Sequence, residues 1–289
     1  MAGCAGAAAA AQREHLVDAA VAQHFHDRQS GRRLDLALLA LARHDDKLGH
    51  QSTPSYAISD NRSRLWGCWR LKSSEEPALT LSAERLRAAL DALASREKAF
   101  AEAIERAGYP APRIRPRGHE TLLRTIIGQQ VSVQSANAIW GRLEAAGGTD
   151  PARLAALSDE ELRNIGLSRQ KSSYARSLAE EVASGRLNLA ALPEDDEEAI
   201  AELVAIKGIG RWSAEIYLLF AEGRGDIWPA GDLAVQIECG QILGLAERPS
   251  ERATRALAEA WRPHRGAAAI FAWHHYGTRL RAKAGKAPV

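Results

Sequence analysis

The sequence predicts an all-α protein. Segments with apolar residues three or four apart recur from Ser82 onward, each opened by a capping residue or closed by glycine or proline. No segment alternates apolar and polar residues with period two, so nothing reads as a half-buried strand. The 289 residues, 46% hydrophobic and 26% charged, are an ordinary globular composition long enough for about two packed domains.

The elements follow in order. Residues 1–76 read as helical around His15 to Phe25 and Leu34 to Arg43, then turn polar from Gly49 to Arg64 and end in an isolated Trp66-Gly-Cys-Trp69. Nothing there organises a core, and this stretch is expected to be an N-terminal extension, poorly ordered or loosely attached, beside a folded unit at 77–289. Ser82 is the N-cap of a helix carrying Leu86, Leu90 and Leu93. Tyr109 to Pro116, broken by Pro110, Pro112 and Pro116, is a rigid extended connector. A helix-rich block from His119 to Ala146 stops at Gly147-Gly148. Ser158-Asp-Glu-Glu161 is a capping box whose short helix ends at Gly166, and Ser168 to Ala183 forms the next helix. Acidic Pro193 to Glu198 suits a solvated first turn. Helices follow at about 211–222, 232–243, 250–262 and 264–281.

Charge and cysteine content exclude several classes. With 38 Lys+Arg against 36 Asp+Glu the formal charge is +2, so any contact with phosphate depends on where the basic side chains gather. No stretch approaches the ~18 uncharged apolar residues of a membrane span. The Ala-rich start from Ala5 to Ala11 lacks the basic and apolar regions of a secretory leader. The three cysteines, Cys4, Cys68 and Cys239, are too scattered for a zinc knuckle and too few for a four-thiolate cluster. A cytosolic setting is expected.

The informative stretch is Leu203 to Phe220. A helix running to Ile206 meets the turn Lys207-Gly-Ile-Gly210, and a second apolar helix starts at once. Two glycines around one apolar residue permit a tight reversal in which Ile209 tucks between the helices and amides at the second helix's N-terminus face outward. Such amides suit a phosphate oxygen, although a plain helical hairpin has the same pattern. Shortly after the second helix comes Trp228-Pro-Ala-Gly-Asp-Leu-Ala-Val-Gln236.

Taken together these segments resemble the helix-hairpin-helix DNA glycosylase superfamily, in which a Gly/Pro-rich loop and an Asp follow the hairpin. Leu122 to Gln134, Gly210-Arg-Trp-Ser-Ala214 and Trp261 to Trp273 resemble its alkylbase branch, the AlkA-type DNA-3-methyladenine glycosylases II. The similarity covers about residues 80–280, and residues 1–76 have no counterpart in it. It implies a two-lobed helical fold with the active site in the cleft between lobes. Strand-cutting members carry a Lys where this chain has Trp212, and an indole forms no Schiff base. The iron–sulfur cluster of other branches lacks its cysteines here. The resemblance therefore implies a monofunctional N-glycosylase that excises alkylated purines, of the 3-methyladenine and 7-methylguanine type, from duplex DNA.

The same resemblance assigns candidate residues. Asp232 matches the catalytic aspartate. A carboxylate beside the sugar favours the oxocarbenium-like transition state, and alkylation already makes the base a good leaving group. Asp232 after Gly231 also suits a helix cap, and both roles are compatible. Trp212, Trp273 and Tyr217 are candidate walls for a base rotated out of the duplex, with Ile216 at the position that usually bears the pocket tyrosine. Trp140, Trp261 and Phe271 are expected in the core. Gln130, with Val131 beside it, matches the residue that enters the base stack, while Gln129 and Gln130 equally suit satisfying backbone groups in a tight turn. Lys207, Gly208, Gly210 and Arg211 are expected at phosphate. The carbonyls of Val204, Ile206 and Ile209 match those that hold a structural monovalent cation, Na or K. No cofactor is required, and the histidines lack carboxylate or cysteine companions at ligand spacing, so no catalytic metal is expected. The partner is duplex DNA with alkylated bases; no membrane or protein partner is expected, and the chain reads as a monomer. The alternatives are a glycosylase for another damaged purine such as hypoxanthine or ethenoadenine, a non-catalytic helix-hairpin-helix DNA-binding module, and a helical interaction scaffold.

Overall fold

The computed structural model describes residues 81–283 and 285. The expected extension at 1–76, with its helical readings, Cys4 and Cys68, lies outside them. Among the described residues all regular structure is helical, in agreement with the predicted class. The helices are α1 (Ala83–Arg96), α2 (Lys98–Ala107), α3 (His119–Gly128), α4 (Val133–Ala145), α5 (Pro151–Ala156), α6 (Asp159–Ile165), α7 (Arg169–Ala183), α8 (Asp196–Val204), α9 (Arg211–Phe220), α10 (Leu233–Ile242), α11 (Glu251–Leu257) and α12 (Arg265–Lys283), with a 3-10 turn at Ala258–Trp261.

Local signals set most boundaries. Ser82 caps α1, and Leu86, Leu90 and Leu93 are all buried, each contributing about 1.5–3 kcal/mol of apolar burial. The capping box at Ser158 forms in both directions, and Gly166 ends α6 at φ 103°. Ser168 caps α7 through the Lys171 amide. Two helices were not read from the sequence. In α2, Glu97 caps the start and Phe100, Ala103 and Ile104 supply the buried stripe. In α5, Asp150 caps a single short segment opened by Pro151, a start signal that the sequence did contain.

The chain's order builds two packed groups. Helices α1 and α2 lie against each other and against α12, and α10 packs on both α2 and α12. Helices α3 to α9 form the second group: α7 packs on α3, α5 and α6, α4 lies on α3 and α6, and α9 pairs with α8 and reaches α3. The groups share one continuous buried core. Trp140, Trp261 and Phe271 are core residues as expected; Trp261 packs edge-on against both Phe100 and Trp228. Between α9 of one group and α10 and α12 of the other runs the loop 221–232, and the candidate site is built there.

Candidate active site

The Trp228 to Asp232 loop is pinned from three sides. The Trp228 indole donates to the Thr254 carbonyl at 3.2 Å, the Gln236 amide donates to the Ala230 carbonyl at 2.7 Å, and the Asp232 N–H reaches the Pro229 carbonyl at 2.9 Å. The turn delivers Asp232 to the N-cap of α10, where its Oδ1 accepts the Val235 amide at 3.0 Å. The cap reading of this residue is thus part of the structure. It accounts for only one of the groups that hold the carboxylate.

Two indoles supply the others. Trp212, on the first turn of α9, donates Nε1–H to Asp232 Oδ2 at 3.0 Å, and Trp273, on α12, donates to Oδ1 at 3.2 Å. The carboxylate is therefore gripped by a side chain from each helical group. Asp232 is only 4% exposed and Trp273 2%, whereas Trp212 is partly exposed, so within this trio Trp212 is the member that meets solvent. Burial pushes the Asp232 carboxyl above the ordinary carboxylate range; the Val235 amide and then the two indole N–H groups pull it back. Behind the trio Trp273 packs on Phe220, with ring centroids 5.5 Å apart. Tyr217 does not join the cluster through its hydroxyl. Its ring is buried and the oxygen accepts the Gly118 N–H at 3.0 Å, which ties the proline-rich connector to α9; Ile216 is buried as well.

The hairpin turn has the anticipated shape. Ile209 is buried between α8 and α9, and its N–H closes the turn on the Ile206 carbonyl at 3.0 Å. Gly208 has φ +89°, and a Cβ there would meet the Tyr174 ring at 2.2 Å, so this position admits only glycine. Gly210 is exposed and starts α9 with no side-chain cap, and a Cβ there would meet nothing within 4 Å.

Two sequence expectations at the hairpin change. Arg211, expected at phosphate, grips both oxygens of Glu197 with one face of its guanidinium and donates Nε–H to buried Glu215 at 2.9 Å. Its charge is committed to carboxylates of α8 and α9. The acidic first turn of α8, expected to be merely solvated, is correspondingly used: Glu197 holds Arg211, and Asp196 holds Arg224 at 3.1 Å. Lys207 is exposed, with Nζ on the Ser173 hydroxyl at 2.9 Å. Gln130 is exposed at φ 57°, the one non-glycine residue with positive φ among those described, and Val131 beside it is partly exposed. Gln129, by contrast, does satisfy a backbone group, as it donates to the Gly208 carbonyl at 3.1 Å.

The histidines also gain a partner that spacing did not reveal. His275 Nδ1 meets buried Glu238, whose other oxygen takes Arg279 at 2.9 Å, and this locks α10 to α12. His274 pairs with the Ala107 carbonyl at 2.8 Å. No group of three or more His, Cys, Asp or Glu residues that could hold a metal occurs among the described residues. Buried Cys239 has its thiol pushed up to about 12 by desolvation, which makes it inert. No helix of the described residues is long and apolar enough to cross a membrane.

Residues 123–263 match the family described as HhH-GPD superfamily base excision DNA repair protein. The chain is 32% identical over 161 residues to DNA-3-methyladenine glycosylase 1 of Schizosaccharomyces pombe, a stretch covering 54% of this chain and 71% of that one. A match to a Bacillus subtilis relative spans only 58% of that protein's length, at 27% identity. Among solved structures, DNA-3-methyladenine glycosidase from Bacillus halodurans superposes with a TM-score of 0.60 at 33% identity, covering 66% of this chain and 90% of that one. The Schizosaccharomyces pombe 3-methyladenine DNA glycosylase in complex with abasic DNA gives 0.57 at 28% identity, covering 64% and 95%. With the hairpin, the following loop and its aspartate in the order this family uses, the chain belongs to the HhH-GPD superfamily of base excision DNA repair proteins, in the company of its DNA-3-methyladenine glycosylases.

Proposed function

We propose that the protein is a monofunctional DNA glycosylase that flips alkylated purines out of duplex DNA and hydrolyses their N-glycosidic bond. The observation that carries this reading is the Asp232 carboxylate held between the indole N–H groups of Trp212 and Trp273. Cleavage builds positive charge on the sugar, and an anion fixed beside it in a poorly solvated setting stabilises that charge more than water does. Three N–H donors keep Asp232 oriented without neutralising it. The same oxygens can align the attacking water.

The site's donors also favour one class of substrate. The two side-chain groups bonded to Asp232 are indoles, which do not give up a proton at neutral pH, so neither serves as an acid for a neutral leaving base. A purine alkylated at N3 or N7 is already cationic and needs none. The electron-rich face of Trp212 attracts such a cation by about 0.5–2 kcal/mol over a neutral base. Hypoxanthine or ethenoadenine, the alternative substrates, lack that charge.

The remaining residues take supporting parts. The amides around Gly208 and Gly210 hold a phosphate, with Lys207 as the nearby cation. Gln130 and Val131 enter the gap left by the flipped base, and the positive φ at Gln130 turns this exposed side chain out of the loop. The carbonyls of Val204, Ile206 and Ile209 are neutral oxygen donors suited to a monovalent cation. Ile206 spends one lone pair on the Ile209 N–H and keeps another. Such an ion would stiffen the hairpin and take no part in bond breaking. With an indole at position 212 no imine to the sugar forms, and the strand stays intact.

The reading is tested with methylated duplex DNA. Free 3-methyladenine or 7-methylguanine should appear, and strand breaks should follow only after alkali. Salt-dependent binding without base release would leave a DNA-binding module.

A further inference from the structure

Two loops with separate tasks in the proposed reaction are physically joined. Gln129, the residue before Gln130, donates its side-chain N–H to the carbonyl of Gly208, across 79 residues of chain. Helix α7 touches both the end of α3 and the hairpin turn. Its Lys171 donates to the Ile127 carbonyl at 2.7 Å, its Tyr174 ring lies against Gly208, and its Ser173 hydroxyl accepts from Lys207. None of these groups is bonded to Asp232.

The chemistry of the contact fixes which end of the amide is used. A carbonyl only accepts, so the NH2 of Gln129 must face Gly208 and its oxygen must face away. Neither a carboxylate nor a methyl group at position 129 can replace that donor. Gln129 also ends α3 with φ −58° and ψ 128°, and Gln130 follows in the left-handed region. The tie is thus made at the point where the chain leaves the helix to present Gln130.

We infer that Gln129 is a positioning residue for base extrusion, bracing the stack-entering loop against the phosphate-holding hairpin so that the two act on DNA as one rigid part. This rests on the reading of the protein as a base-flipping glycosylase. Extruding a nucleotide requires one element to hold the backbone while another occupies the vacated stack, and the force between them must pass through the protein. Lys171 and Tyr174 support the two loops separately from α7. The Gln129 bond is the direct link from one to the other.

The experiment uses the full chain and its Gln129→Ala and Gln129→Glu variants, the second keeping the length but offering no N–H. A duplex with 2-aminopurine at the extrusion site reports unstacking by fluorescence without any chemistry. Single-turnover release of 7-methylguanine is followed in parallel, opposite cytosine and opposite an abasic-site analogue. Gln129→Ala should bind the duplex within about twofold of wild type, as no phosphate contact is lost, and Gln129→Glu more weakly at low salt, because its added charge lies beside the phosphate-holding turn. At saturation their fluorescence gain should fall roughly threefold or more, and base release opposite cytosine should slow about tenfold, the scale of one lost hydrogen bond. Opposite the abasic analogue, where pairing no longer resists extrusion, the slowing should shrink to about twofold. An undiminished fluorescence gain, or equal slowing on both duplexes, overturns the brace. A wild type that unstacks the probe yet releases no base contradicts the proposed activity and leaves the brace standing. A wild type that binds without unstacking overturns the brace itself.

Discussion

Trp273 donates its indole N–H to Asp232 across 41 residues of sequence, on the oxygen that also caps α10, while the other oxygen takes Trp212. A carboxylate at a helix N-terminus needs only the cap. Its two additional donors come from different helical groups, from α9 and from α12, so both groups take part in orienting this one anion.

That environment predicts a pH profile. Burial raises the Asp232 carboxyl, so it takes up a proton at a pH where an ordinary aspartate is still charged. The proposed catalysis needs the charged form, so activity should fall as pH drops through the raised value. The acidic limb of kcat/KM should lie above about 3.9, the ordinary aspartate position. Trp212→Phe removes a donor to the charged form and should move the limb further up. A limb at the ordinary position, or a downward move in the variant, would contradict the assignment. Because the folded state holds this proton more tightly than the unfolded one, the Asp232 contribution to stability declines as pH rises between the two values.

Arg211 and Lys207 should part company in DNA binding. Lys207→Ala should weaken binding and reduce the slope of log K against log salt by about 1, the signature of one lost phosphate contact. Arg211→Ala should leave that slope nearly unchanged and instead destabilise the fold by about 1–3 kcal/mol, because Glu215 is 2% exposed and among the described residues is left with Arg255 as its ion-pair partner. Salt titrations of binding and urea unfolding of the two variants separate these outcomes. A slope reduced equally in both would return Arg211 to the phosphate.

Gly208→Ala should show how tightly the hairpin is seated. The backbone is at φ +89° and the added methyl would lie 2.2 Å from the Tyr174 ring. A loss of about 2–3 kcal/mol is expected, lowering Tm by roughly 5–10 °C. Combining it with Tyr174→Ala should recover part of the loss, since one clash is then removed. Additive losses would mean that the ring is not what the methyl meets.

The parts of this account that were legible in the sequence are those written in short spans. The caps at Ser82 and Ser158, the helix start at Ser168, the stop at Gly166 and the tight turn at Gly208 each depend on residues within about four positions, and each appears where the sequence placed it. Helix α2 escaped because its buried stripe is only three residues, Phe100, Ala103 and Ile104, one of which an Ala-rich surface helix could equally carry. What local pattern could not contain were the partners of charged and polar side chains. Arg211 finds Glu197 at a separation of 14, His275 finds Glu238 at 37, and Gln129 finds Gly208 at 79. Those pairs exist only once α8 lies on α9, α10 on α12, and α3 beside the hairpin. The likeness to glycosylases named Asp232, Trp212 and Trp273 one at a time; their mutual hydrogen bonds emerge only in the fold.

The most direct test of the central claim is single-turnover release of base from methylated duplex DNA by wild type and Asp232→Asn, with binding to the same duplex measured alongside. Asparagine keeps an oxygen for the Val235 amide and preserves the cap while removing the charge. The account predicts that base release falls by about a thousandfold or more, the scale of losing an electrostatic stabiliser, with affinity close to wild type and a modest drop in Tm because the asparagine NH2 then faces the Trp212 N–H. A variant that releases base at the wild-type rate would contradict it and leave Asp232 as a helix cap alone.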